Sequence, residues 1–130
     1  MDVLIVDDEE AVGRLFLQRF RNEIKTGEYN LFFFTRADEA LKNLINLDSN
    51  KLLVLSDIVM PGMNGLELLG KIRELNVTLP VYMVSALDNE EYRSKSMDLG
   101  ATGFLTKPLD FNLLKQLLRE HWNGSNSGRG

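Results

Sequence analysis

The chain has 130 residues, 44% of them apolar, which is room for one domain with a real hydrophobic core rather than two. It has no cysteine, which excludes disulfides and thiolate metal sites, and its formal net charge of -4 with 15 scattered basic residues argues against a nucleic-acid groove. Neither a basic-then-apolar leader nor a membrane-length apolar run is present, so the expectation is a soluble, cytoplasmic protein without membrane contact.

A first short apolar strand, Asp2 to Val6, ends in Asp7-Asp8-Glu9. Val12, Leu15, Phe16, Phe20 and Ile24 then recur at three- and four-residue steps, the mark of one helix with a single apolar stripe. After Thr26-Gly27 comes a second strand, Tyr29 to Phe34, whose length and aromatic content read as buried. Ala40, Leu41, Leu44 and Ile45 mark a second helix, and Leu52 to Leu55 a third strand leading into Asp57. Asp57 opens the turn Asp57-Ile58-Val59-Met60-Pro61-Gly62-Met63-Asn64-Gly65, after which Leu66, Leu69 and Ile72 define a third helix. Met60 and Met63 read as packing residues.

Pro80 precedes a fourth strand, Val81 to Val84, closed by Ser85. The fourth helix, Asn89 to Leu99, offers only Tyr92, Met97 and Leu99 as apolar contacts. Gly100 separates it from a fifth strand, Gly103 to Leu105, which runs into Thr106-Lys107-Pro108. Asp110 is a good N-cap for a fifth helix carrying Leu113, Leu114, Leu117 and Leu118. His121, the sole histidine, reads as a solvated residue or a charge at that helix's C-terminus. Residues 123–130 are Gly, Ser and Asn with one Arg and read as a flexible linker stub or a cloning-derived tail following a domain of residues 1–122.

Strands separated by helices require crossover connections, hence an α/β fold with a parallel sheet covered on both faces. The C-terminal ends of neighbouring parallel strands converge on one crevice, which would bring Asp7, Asp8, Asp57, Ser85 and Lys107 together. Each residue taken singly is an ordinary turn or cap residue. Several carboxylates in one place repel one another unless some protonate or a cation neutralises them, and a hard cation with oxygen ligands answers that need. Lys107 would then face whatever anion the cation recruits.

Val6-Asp7-Asp8-Glu9, the Asp57-to-Gly65 segment, Val84-Ser85-Ala86, and Gly100-Ala101 continuing to Phe104-Leu105-Thr106-Lys107-Pro108 stand in the order and spacing of a known family. From Met1 to about Trp122 the chain resembles the receiver domain of two-component response regulators. The resemblance implies a flavodoxin-like (βα)5 doubly wound sheet with strand order 2-1-3-4-5. It implies that Asp57 is the phosphoacceptor for the phosphohistidine of a partner histidine kinase or phosphotransfer protein, forming an aspartyl phosphate. Mg²⁺ would be held by Asp8, Asp7, Asp57 and the backbone carbonyl of Val59. Lys107 and Ser85 would each take a phosphoryl oxygen, small Ala86 would leave the approach open, and Phe104 would stand at the family's aromatic switch position. Pro108 would follow a cis bond.

The output implied is a change on the surface of the fourth helix, fifth strand and fifth helix, used to dock a partner, to dimerise, or to control an output domain beyond this chain. Such a protein is a signalling phosphoacceptor rather than an enzyme, catalysing at most its own phosphorylation and dephosphorylation. Val59 and Leu87 stand where side chains of the family flank the path of the hydrolytic water, and both are apolar. Two other readings remain. One is a degenerate receiver serving as a phosphorylation-independent interaction module. The other is an Asp-nucleophile phosphatase of the haloacid-dehalogenase type, which needs an acid two residues after the nucleophile where this chain has Val59.

Overall fold

Val3 to Val6 and Leu52 to Leu55 are apolar at every position, and both segments lie inside a sheet whose two faces are covered. The computed structural model describes residues 1–86 and 89–127, with side chains through Asn123. Its strands are β1 (Asp2–Val6), β2 (Asn30–Phe34), β3 (Leu52–Asp57), β4 (Val81–Ser85) and β5 (Gly103–Thr106). All pair in parallel, in the order β2-β1-β3-β4-β5, which is the expected topology. Register aligns the functional ends of the strands: Val6 pairs with Ser56, Asp57 with Val84, and Ser85 with Thr106.

Alternation along the strands builds two cores. Leu4, Val6 and Val54 pack under α3 (Ala37–Leu44) and α4 (Gly65–Leu75) with Leu68, Leu69 and Ile72, and Met60 is buried in the same cluster. Val3, Ile5, Leu53 and Leu55 face the other way, toward Phe16, Phe20, Leu114, Leu118 and Trp122.

The first predicted helix is two, α1 (Glu10–Arg19) and α2 (Arg21–Lys25), because Phe20 leaves helical geometry at φ -103° and ψ 16°. The predicted fourth and fifth helices are therefore α5 (Glu90–Asp98) and α6 (Phe111–Ser127). Phe16 and Phe20 are buried as the stripe requires, but Leu15 is 38% exposed. Gly13 is buried against β2, where a Cβ would lie 2.6 Å from the Phe33 ring, while Leu15, about 200° further around the helix, lies off the face that seats Phe16. Ile45, at the C-cap of α3, is also exposed. β2 is an edge strand, so Leu31 to Phe34 are half-buried rather than enclosed.

Asp110 caps α6 by accepting from the backbone N–H groups of Asn112 (3.0 Å) and Leu113 (3.2 Å). The helix continues past Trp122 to Ser127, into the segment read as a tail, since each added residue of an anchored helix costs little once nucleation is done. Residues 128–130 lie outside the described residues. His121 is thus not at the helix terminus; it is half-buried, edge-on to Trp122 at 4.8 Å, and burial lowers its pKa. Lys115 ties α6 to α2 through a 2.8 Å ion pair with Glu23. α5 is the least embedded of the longer helices, with Met97 and Leu99 exposed and Ser96 its buried residue. Among the described residues no helix is long and apolar enough to cross a membrane.

Candidate functional site

β1 ends where its backbone passes the ladder, and Asp7 continues the pairing by donating its N–H to Phe34 O (3.1 Å). That places the Asp7 side chain in the crevice, 3% exposed, with Oδ1 accepting from Glu9 N (3.0 Å). Asp8 follows it, exposed at the rim. Asp57 is the last residue of β3, buried, and its Oδ1 accepts from the N–H of Ile58 at 2.9 Å. Ligand oxygens of Asp7, Asp8 and Asp57 all lie within 4.8 Å of one another.

Lys107 comes from the far side of the sheet. Its backbone N–H donates to Ser85 O at 2.8 Å, pinning the residue against the end of β4. Its Nζ then donates to Asp7 Oδ2 at 2.6 Å and to Asp57 Oδ2 at 3.2 Å. The Lys107-Pro108 bond is cis. Burial pushes the Asp57 carboxyl above the ordinary aspartate range; the Lys107 charge opposes this and the Asp7 charge adds to it. For Lys107, burial favours the neutral amine, but the hydrogen bond to Asp7 and the negative charge of Asp57 outweigh it and raise its pKa. The lysine is a firm cation, and Asp57 is harder to ionise than a free aspartate.

Ser85 is buried at 2% exposure beside this cluster. Val59 is 57% exposed on the turn that follows Asp57. Leu87, expected opposite it, lies outside the described residues. Phe104 is half-buried on β5, with the Arg93 guanidinium 4.6 Å above its ring. The turn after Asp57 closes because Gly65 N donates to Ile58 O at 2.8 Å; a Cβ at Gly65 would fall 2.0 Å from Asp57 O.

The structure adds residues that sequence reasoning missed. Thr35 and Arg36 join Asp8, Pro61 and Gly62 around a polar recess of about 340 Å³. On the opposite side, Val12, Leu15, Pro108 and Phe111 border an apolar recess of about 370 Å³ that reaches Lys107. Leu15 is a signal in itself, since a leucine on a core stripe that does not enter the core is available to something else. Chemically, the donor set consists of carboxylate oxygens, which suit a hard divalent cation such as Mg²⁺, next to a fixed ammonium that suits an anion.

Residues 3–119 match the family model described as the response regulator receiver domain. The chain is 38% identical over 125 residues to a 14.6 kDa protein from the sodA1 3′ region of Leptolyngbya boryana, covering 93% of this chain and 89% of that one. It spans only 29% and 44% of the length of two other curated relatives. A CheY-like response regulator receiver domain protein from Methanospirillum hungatei JF-1 matches with a TM-score of 0.84 at 28% identity, over 98% of this chain and 97% of that one. The structure of a CheX-CheY-BeF₃-Mg²⁺ complex from Borrelia burgdorferi matches with a TM-score of 0.80 at 30% identity, over 94% and 89%. With its sheet order, its strand-end acids and lysine, and a family match across nearly its whole length, the chain belongs to the response regulator receiver domain family.

Proposed function

We propose that Asp57 accepts a phosphoryl group from a phosphohistidine on a partner histidine kinase or phosphotransfer protein. The observation that carries this reading is the grouping of Asp7, Asp8, Asp57 and Lys107 at one end of the sheet. An Asp57 carboxylate oxygen forms the new O–P bond as the P–N bond of the donor breaks, and its electron pair leaves with the imidazole nitrogen. Ile58 N–H and Lys107 each hold one Asp57 oxygen, which fixes the carboxylate's plane before the donor arrives. Asp7, Asp8, Asp57 and the Val59 carbonyl would hold Mg²⁺, which when bound offsets the negative charge of the carboxylates and the phosphoryl oxygens. Lys107 pairs with a phosphoryl oxygen in the product and Ser85 donates its hydroxyl to another.

The apolar recess bordered by Val12, Leu15, Pro108 and Phe111 would receive the partner, since it opens beside Lys107 and so presents a docked histidine to Asp57. Ser85 and Phe104 lie on adjacent strands that lead from the site to the face made by α5, β5 and α6. The phosphorylated form then docks a partner, dimerises, or controls an output domain through that face, and the weak embedding of α5 suits it to move.

Incubation with acetyl phosphate and Mg²⁺ followed by intact mass tests the proposal. The wild type should gain one phosphoryl group, and Asp57→Ala and Asp57→Asn should gain none. Full phosphorylation of either variant at another residue would refute the assignment, and no uptake by the wild type would favour a degenerate interaction module.

A further inference from the structure

Phe104 lines a groove of about 280 Å³ between α5, β5 and α6, and Arg93 of α5 lies on the rim of the same groove. The guanidinium carbon stands 4.6 Å from the ring centroid, within the range of a cation–π contact. The same ring packs against the core cluster that contains Val81, Met83 and Ala101, so it has an apolar neighbour on one side and a cation on the other. An inward turn of the ring would forfeit the Arg93 contact, because that contact belongs to the groove-lining arrangement.

We propose that Arg93 is a positioning residue that holds Phe104 in the groove and so biases the domain against its phosphorylated conformation. The inference rests on the phosphoacceptor reading and deepens it, since it names what sets the threshold of the switch. Arg93 touches no reacting atom; it acts through Phe104. α5 itself is anchored at its C-terminal end, where Ala101 N donates to Ser96 O at 2.9 Å and Arg73 of α4 donates to Gly100 O at 2.8 Å. With that end fixed, the contact at Arg93 joins the outer part of α5 to β5, and losing it frees helix and ring together. When the binding-competent state is a minor one, raising its population tightens apparent affinity by the same factor.

The test is a beryllofluoride titration of the full chain with Mg²⁺, followed by backbone amide NMR. Arg93→Gln should bind about two- to fivefold more tightly than the wild type, the size expected when a partly exposed cation–π contact is removed. Arg93→Lys, which keeps a cation over the ring, should stay near the wild type. In a Phe104→Leu background Arg93→Gln should change nothing, which isolates this contact from any other that Arg93 makes. Equal affinity in wild type and Arg93→Gln, or the same gain in the Phe104→Leu background, would overturn the inference alone. A wild type that does not bind beryllofluoride would overturn the phosphoacceptor reading and this inference with it.

Discussion

Lys107 Nζ sits 2.6 Å from Asp7 Oδ2 but 3.2 Å from Asp57 Oδ2, so the lysine is paired more closely with an acid of the proposed metal shell than with the proposed phosphoacceptor. A divalent cation bound by these acids would therefore compete with the ammonium group for Asp7. Cation binding would release Lys107 toward Asp57 and the phosphoryl group, which couples metal loading to the placement of the lysine.

Lys107→Met should accordingly bind Mg²⁺ about fivefold more tightly than the wild type, near the low end of what removing one unit charge a few ångströms away provides. Its phosphorylation by acetyl phosphate should nevertheless be slower, because one phosphoryl oxygen loses its partner. Asp8→Ala should lose Mg²⁺ binding, and chelation should lower the wild-type melting temperature to that of the metal-free protein. Calorimetric titration decides; unchanged or weaker affinity in Lys107→Met contradicts the competition.

The raised pKa of Asp57 has a consequence for stability. Its folded value lies above the ordinary 3.8, so the native state binds this proton more tightly than the unfolded chain does. The stability tied to that proton is fully present below the unfolded value and lost as pH rises through the folded one. At neutral pH the ionised Asp57 thus weighs against folding, and Asp57→Asn in metal-free buffer should be more stable than the wild type. The gain should vanish at about pH 3, where the wild-type group is neutral in both states. Urea melts at both pH values test this; a variant less stable than the wild type at neutral pH would contradict it.

Two glycines of α4 separate geometry from helix propensity. Gly65→Ala places a Cβ 2.0 Å from Asp57 O and 2.9 Å from Ile58 Cα, both backbone atoms, so the start of α4 must shift and carry the acceptor with it. A loss of about 3 kcal/mol and much slower phosphorylation are expected. A Cβ at Gly70 would meet nothing within 4 Å, and Gly70→Ala should stabilise the fold by up to about 1 kcal/mol. Chemical denaturation of both variants measures the contrast.

The strands were legible because Val3 to Val6 and Leu52 to Leu55 are apolar throughout, with Asp7 directly after the first run and Asp57 two residues after the second, whereas the strand order came from the family resemblance. The break at Phe20 was not legible, since Phe16, Phe20 and Ile24 keep helical spacing while Phe20 itself leaves helical backbone geometry. Leu15 read as core because periodicity ranks residues by type, whereas the buried face of α1 is narrower than the stripe and seats Phe16 but not Leu15. In the site, strand-end placement together with the strand order implied by the resemblance grouped the acids with the lysine. The preference of Lys107 for Asp7, a contact across 100 residues, and the lid of Arg93 on Phe104 depend on side-chain geometry that no spacing encodes.

The aspartyl phosphate should be long-lived. Val59 stands two residues after the phosphoacceptor and is 57% exposed, so it borders the open approach to Asp57 rather than filling the core. A side chain there with a hydrogen-bonding group could orient an attacking water, as positioning residues do in hydrolytic sites, and valine has none. Leu87, two residues after Ser85 in the sequence, is equally unable to hold a water. Hydrolysis would then depend on unguided water, and the signal should end mainly through a phosphatase or back-transfer to the partner. Replacing Val59 with Asn and Leu87 with Glu together should accelerate phosphate release on the order of tenfold, a modest share of what general-base assistance provides. Release of inorganic phosphate from protein freed of excess donor is the measurement. A rate equal to or below that of the wild type would show that these two positions do not limit hydrolysis.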